Sequence, residues 1–238
     1  MNNNTFNNTD IRVNPSATIC VREINVKYGS EENEVWAVRD ASLDIMPGEL
    51  TIISGLSGSG KSTLLNVIGG MLKPTSGRVY FKGKDITDSS DREWTAYRRD
   101  VIGFVFQDYS LIADLTALEN VNLAASMSDN SMSAEEALEL VGIGDCKNKY
   151  PFQMSGGQQQ RVGIARAIVK KAALFLCDEP TGALDVENSA KIISLLEDIA
   201  HKQGIAVVII THNMDIAKMA DHSVVIADGR IVEGGINA

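Results

Sequence analysis

Nine consecutive residues constrain this chain more than any others. Gly55-Leu56-Ser57-Gly58-Ser59-Gly60-Lys61-Ser62-Thr63 directly follow the apolar run Leu50-Thr51-Ile52-Ile53. That run has the length and composition of a short buried strand. The glycines free the backbone to curl into a loop whose N–H groups turn inward, and Lys61 opens a helix. Strand, loop and helix together make a phosphate cradle, with a lysine and a hydroxyl where the P-loop pattern requires them. The ligand class follows from this alone: a nucleoside triphosphate with magnesium.

Around this core the pattern alternates. Residues 1–16 are Asn-rich and weakly hydrophobic, which predicts a flexible leader. Strand-like runs follow at 19–24, 34–38 and 41–45, with turns at Tyr28-Gly29-Ser30 and Met46-Pro47-Gly48. Residues 61–71 predict a helix that buries Leu64, Leu65, Val67 and Ile68. Strands are expected at 77–81 and 101–106, helical structure across 115–144, and a further helix at 156–170. A strand at 173–177, a helix at 186–201, a strand at 205–210 and a short helix at 214–219 come next. A hairpin of 223–226 and 230–232 closes the pattern around Asp228-Gly229. The alternation predicts an α/β fold with mostly parallel central strands and a helical insertion between two strands of one sheet.

The composition, 44% hydrophobic and 22% charged over 238 residues, is globular. A net charge of −9 argues against a nucleic-acid footprint, which needs a basic face. No apolar stretch approaches the roughly 20 residues needed to span a bilayer. The N-terminus lacks the charged-then-apolar pattern of an export signal. Cys20, Cys146 and Cys177 are far apart and show no metal spacing; Cys177, inside an apolar run, reads as a small buried hydrophobe. These features suit a reducing cytoplasm.

Two further motifs carry chemistry. Phe175-Leu176-Cys177-Asp178-Glu179-Pro180 ends a buried strand in adjacent carboxylates. The C-terminal strand ends of a parallel sheet form its ligand edge. There Asp178 would face a metal on the β- and γ-phosphates, and Glu179 could take a proton from an attacking water. Without the glycine loop upstream, the pair would read equally well as an ordinary strand end. Met154-Ser155-Gly156-Gly157-Gln158-Gln159-Gln160-Arg161 precedes a helix. A Ser and two Gly at a helix start expose N–H groups at the positive end of the macrodipole, a second anion site. Standing alone, the same residues would be a plain N-cap.

Together these residues resemble the ATP-binding subunits of ABC transporters, across residues 19–234. Gly55, Leu56, Ser57, Gly58, Ser59, Gly60, Lys61, Ser62 and Thr63 match the Walker A loop. Gln107 matches the Q-loop glutamine, Ser155, Gly156, Gly157 and Gln158 the signature, residues 174–178 Walker B, Asp185 the D-loop, and His212 the switch histidine. Tyr28 matches the aromatic that stacks on adenine. The resemblance implies a P-loop NTPase core with a mostly parallel sheet, an N-terminal antiparallel β subdomain and an inserted helical subdomain. It implies one ATP-binding domain over 17–238, with the insertion at about 108–165. It also implies ATP and Mg²⁺ as ligands, with Mg²⁺ held by Ser62, Gln107 and Asp178. Lys61, Gln107, Glu179 and His212 take catalytic roles, His212 on the γ-phosphate. Read by themselves, Tyr28 is a turn or packing residue and His212 a satisfied histidine; Trp36 and Trp94 stay packing residues. Two positions depart from the pattern: Leu56 stands where this subgroup often has Pro, and Met154 where Leu is usual, a swap of similar volume.

The family's signature completes the site of a second copy, so a C₂ dimer is expected, with Asp185 at the dimer contact. An integral membrane permease is the second expected partner, placing the chain at the cytoplasmic face of the cell membrane; no nucleic acid is expected. The wording of 115–121 and 178–185 looks like the bacterial subgroup of lipoprotein release, macrolide export and antimicrobial-peptide resistance. An exporter or extractor of lipoprotein, peptide or amphipathic drug is therefore expected. Two alternatives stay open: mechanical signalling through a permease-like subunit of the cell-division type, and an importer ATPase. An ABC-type ATPase of DNA repair or translation would need a long coiled-coil insertion, zinc cysteines or tandem cassettes, and the signature and His212 argue against a small-molecule kinase. The end of the chain soon after Gly234 predicts no appended regulatory domain.

Overall fold

A computed structural model describes residues 13–30 and 33–232. Residues 1–12 of the expected leader, and the last residues of the family likeness, lie outside the described residues. Strands β1 (Ile19–Tyr28) and β2 (Val35–Ile45) pair antiparallel. The two runs expected at 34–38 and 41–45 are one continuous strand, with Asp40 at φ 50° absorbing an irregularity in the register. Next comes β3 (Leu50–Ser54), all five residues buried, and then α1 (Lys61–Ile68). This helix stops three residues short of the expected end because Gly69-Gly70 follows, with Gly70 at φ 66°. Strands β4 (Ser76–Phe81) and β5 (Lys84–Asp85) return to β1, giving an antiparallel sheet of order β2-β1-β4-β5. This is the expected N-terminal antiparallel sheet, completed by two strands that follow α1.

Helix α2 (Asp91–Asp100) was not among the expected elements. Its start was legible: Ser90 and Glu93 form a reciprocal capping box. Its strongly polar face hides the signal; its two aromatic anchors are Trp94, against Gly70, and Tyr97, which donates to the Ile68 carbonyl. Strand β6 (Ile102–Val105) leads to the insertion, where the expected helical stretch is two helices, α3 (Ala117–Ala125) and α4 (Ala134–Leu140). Each has its own N-cap, Thr116 and Ser133. Buried Asn120 pins the entry, donating to the carbonyls of Ile112, Leu115 and Thr116 and accepting from Ile112 N–H. Helix α5 (Gly156–Ile168) runs from the insertion to β7 (Leu174–Asp178). The chain closes with α6 (Val186–Gln203), β8 (Ala206–Thr211), α7 (Met214–Ala217), β9 (His222–Ala227) and β10 (Arg230–Val232).

The main sheet has the order β10-β9-β3-β8-β7-β6, parallel except for β10. Alternation along buried strands divides the core into two. Val207 and Ile209 of β8 face one cluster, which includes α3 to α6; Ala206, Val208 and Ile210 face the other, with α1 and β1. Trp94 is a packing residue as expected, and all three cysteines are buried and free.

At the base of the sheet, Asp221 accepts from the Leu50 N–H and from His201 Nε2, both at 2.8 Å. Burial works to raise the Asp221 carboxyl, but these two bonds outweigh it and hold it below its usual range. The bond to Asp221 lifts His201 above its ordinary 6.5. A raised histidine stabilises the fold below its unfolded pKa and loses that contribution as pH rises through the folded value. His201→Ala is accordingly expected to lower the thermal midpoint at pH 5.5 and to have progressively less effect as pH rises past 6.5. A midpoint difference that stays flat with pH would show that the pair is electrostatically inert.

Candidate functional site

Four parallel strands end on one edge. β3 delivers the glycine loop, β8 delivers His212, β7 delivers Asp178 and Glu179, and β6 delivers Gln107. The spatial order across the edge is 54, 211, 178, 105, which differs from the chain order.

The loop needs its glycines for distinct reasons. Gly55, Gly58 and Gly60 all have positive φ, at 153°, 77° and 105°. A Cβ on Gly55 would collide with the Ile226 carbonyl, and one on Gly60 with the Ala37 carbonyl. A Cβ on Gly58 would meet nothing within 4 Å, so the chain's own packing leaves the backbone at this position approachable. Of the seven α-helices among the described residues, α1 alone has no side-chain cap; Ser90, Thr116, Ser133, Ser155, Asp185 and Asn213 cap the other six. Its first turn carries no acidic residue either. An uncapped helix start behind a glycine cradle is the environment an anion completes. Buried Ser59 Oγ has no hydrogen-bond partner, and Lys61 Nζ folds back onto the carbonyls of Gly55 and Leu56, at 2.9 and 2.8 Å. These features fit a bound triphosphate. Ser57, Ser62 and Thr63 lie in the same loop and first turn, while the Leu56 side chain points out, 83% exposed.

Glu179 takes φ 47°, a left-handed conformation that costs about 1–3 kcal/mol in a non-glycine residue. Its N–H donates to the Ile210 carbonyl, which turns its side chain back onto β8. There Oε1 accepts from the His212 N–H at 2.9 Å and lies 2.8 Å from His212 Nδ1, and Oε2 accepts from Thr211 Oγ1 at 3.2 Å. The structure thus joins the two residues expected as base and switch, and adds Thr211, which the sequence reading missed. A hydroxyl at a strand end immediately before the histidine was its only signal. In this structure His212 faces Glu179.

Asp178 is half-buried. Burial and the adjacent Glu179 raise its carboxyl above the usual range, opposed by Lys61. It shares a cleft with Gln107, Phe106 and Ala183, and Gln107 packs so closely on Gly182 that a Cβ there would lie 2.8 Å from Nε2. No group of three His, Cys, Asp or Glu residues among the described residues could hold a metal unaided. One carboxylate, an amide oxygen and a hydroxyl are instead the kind of set Mg²⁺ uses when phosphates and water supply the rest. Tyr28, 48% exposed, ends β1 and pairs with Val35, two residues from the Ala37 that abuts Gly60.

The second anion site is partly spent on its own helix. Ser155 Oγ accepts from the Gln158 N–H, and Gln158 Oε1 accepts from the Ser155 N–H. This leaves Gly157 as the open position, since the Tyr109 phenol and Leu184 crowd Gly156. Met154 packs in the core, as its volume suggested. Asp185 caps α6 through Asn188.

A glycine loop at an uncapped helix, on the carboxyl edge of a parallel sheet beside a strand-end carboxylate pair, defines a P-loop nucleotide-hydrolysing protein. The family model described as ABC transporter matches residues 38–182. The ABC transporter ATP-binding protein YtrE of Bacillus subtilis is 41% identical over 210 residues, covering 86% of this chain and 90% of YtrE. The macrolide export ATP-binding/permease protein MacB of Marinobacter nauticus is 41% identical over 93% of this chain, which spans only 35% of that longer protein. The dimeric structure of MJ0796, from Methanocaldococcus jannaschii, superposes with a TM-score of 0.82 at 39% identity, covering 92% of this chain and 99% of that one. A second MJ0796 structure is a dimeric post-hydrolysis state bound to ADP and Pi, with a TM-score of 0.81. The chain belongs to the ABC transporter family and is an ATP-binding, ATP-hydrolysing subunit of that class.

Proposed function

We propose that this subunit works as a C₂ pair that closes head to tail on two ATP molecules, with Mg²⁺, and so drives a separate integral membrane permease from its cytoplasmic face. One observation carries this reading. The cleft at the tip of α5 is lined by Gly142, Ser155, Gly157, Gln158, Arg161 and Asn188, with no residue of the glycine loop. Each chain therefore offers two separate anion sites, and a second copy joins them into one pocket. No helix among the described residues is long and apolar enough to cross a membrane, which fits a separate permease. Likeness to MacB supports export or extraction of an amphipathic cargo.

In the closed pair, the loop N–H groups and Lys61 grip the β- and γ-phosphates, Tyr28 stacks on the adenine, and the partner's signature residues reach the γ-phosphate. Mg²⁺, held by Ser62, Gln107 and Asp178, would neutralise charge on the β- and γ-oxygens. Glu179 removes a proton from water as its oxygen bonds to the γ-phosphorus. The bond to the bridging oxygen breaks and its electrons stay with ADP, where Lys61 and the helix N-terminus stabilise them. Thr211 and His212 hold the carboxylate in line. To shift the pair from mostly open to mostly closed, ATP must favour the closed form by about 5.5 kcal/mol. The signature contacts are the interactions made only on closure.

Gly157→Asp tests this directly. A Cβ at Gly157 would meet only Asn188, at 3.5 Å or more, so the single chain has room for it. The added charge is expected to leave nucleotide binding intact and abolish ATP-dependent dimerisation, read by light scattering in a hydrolysis-deficient background. Unchanged dimerisation would refute the shared pocket.

A further inference from the structure

Among the described residues, the turn after Gln107 is the one place where two consecutive non-glycine residues are left-handed, Tyr109 at φ 61° and Ser110 at φ 47°. Arg166, in the last turn of α5, holds it. Nη1 donates to the Ser110 carbonyl at 2.6 Å and Nη2 to the Tyr109 carbonyl at 2.9 Å. The same helix is bare where the turn crosses it: a Cβ on Gly163 would meet the Tyr109 carbonyl at 3.6 Å. The Tyr109 phenol then reaches the other end of α5, where a Cβ on Gly156 would lie 2.7 Å from its hydroxyl. One residue thus touches the helix at its tip, its middle and its last turn. Two positions earlier, Gln107 lies against Gly182 in the cleft it shares with Asp178.

We infer that Tyr109 and Arg166 form a strut that aims the tip of α5 according to where Gln107 sits. Both are positioning residues: they act on Gly156 through the turn, and neither lines the clefts at the glycine loop or at the α5 tip. The guanidinium reaches the two carbonyls from two separate nitrogens in one rigid plane, a geometry that the single ammonium nitrogen of a lysine does not reproduce. With one tether lost, a left-handed turn relaxes towards the ordinary right-handed region and carries the phenol off Gly156. The inference rests on the reading that the α5 tip engages the partner's nucleotide.

The test is Arg166→Lys in the full chain, combined with Glu179→Gln to stop turnover. Three quantities are measured: fluorescent ATP-analogue binding to the single chain, ATP-dependent dimerisation, and the thermal midpoint. Loss of one charge-assisted hydrogen bond is expected to weaken dimerisation about tenfold, with nucleotide affinity unchanged and only a small fall in midpoint. Dimerisation equal to the parent's overturns the strut. So does a parallel fall in affinity, midpoint and dimerisation, which marks Arg166 as support for the fold. A parent that does not dimerise with ATP overturns the shared pocket itself, and the strut with it. If Arg166→Lys does not fold, Tyr109→Ala, which removes the phenol but keeps both carbonyls, is read by the same criteria.

Discussion

Glu179→Gln is expected to lower ATP turnover by about 10³-fold while leaving nucleotide binding intact and trapping the ATP-bound dimer. The size follows from the role: a positioned general base contributes roughly 10²–10⁴ in rate. The structure makes this a clean substitution. Oε1 accepts from the His212 N–H at 2.9 Å, and an amide oxygen can accept the same bond. The left-handed turn at φ 47° is fixed by the backbone bond to Ile210, which the change does not touch. What disappears is the capacity to take a proton. Phosphate release in a single turnover checks the rate, and size-exclusion chromatography with ATP checks the dimer. A variant that hydrolysed ATP at the parental rate would remove Glu179 as the base.

Lys61→Met is expected to fail one step earlier, with nucleotide affinity reduced by about 10²-fold or more. Lys61 is 7% exposed and bonds to the carbonyls of Gly55 and Leu56. In the proposed site, phosphate oxygens of an entering triphosphate replace these neutral acceptors on the ammonium. Hydrogen bonds involving a charged group contribute about 1.5–3 kcal/mol each, so losing two accounts for a change of that size. Methionine has a similar length and leaves little void, but both carbonyls lose a donor, so a small fall in thermal midpoint accompanies the loss of binding. Calorimetric titration with ATP measures the affinity. Affinity within a few-fold of the parent would mean that the loop N–H groups grip the phosphates without the lysine. Gly157→Asp makes the contrast: binding survives and closure fails.

Local motifs were legible because their demands are local. The glycines that let the loop curl and the Ser155 cap of α5 depend on neighbours three or four residues away. Elements whose reasons lie far off along the chain were harder to read. Asp40 turns left-handed inside β2, and no local pattern marks 34–45 as one strand. α2 is polar on all but one narrow face, so its two aromatic anchors had too little periodicity to stand out. Helix propensity between Ala125 and Ala134 does not reveal that the insertion bends there, and the Ser133 cap is the only local mark. Thr211, Tyr109 and Arg166 carry no motif. Their roles exist only through partners 32, 47 and 57 positions away, at Glu179, Gly156 and Tyr109.

By itself the chain's sequence determined that the ligand is a nucleotide and named the residues proposed to act on it, because a phosphate cradle is a matter of backbone freedom and dipole direction within a dozen residues. Adjacency was left to the fold. β8 comes after β7 and α6 in the chain, yet it lies between β3 and β7, placing Thr211 beside Ser54 and Ile210 beside Asp178. That insertion buries β8 on both faces, where all six of its residues are apolar or hydrogen-bonded. Long-range burial therefore fixed the strand order, and strand order brought His212 to Glu179.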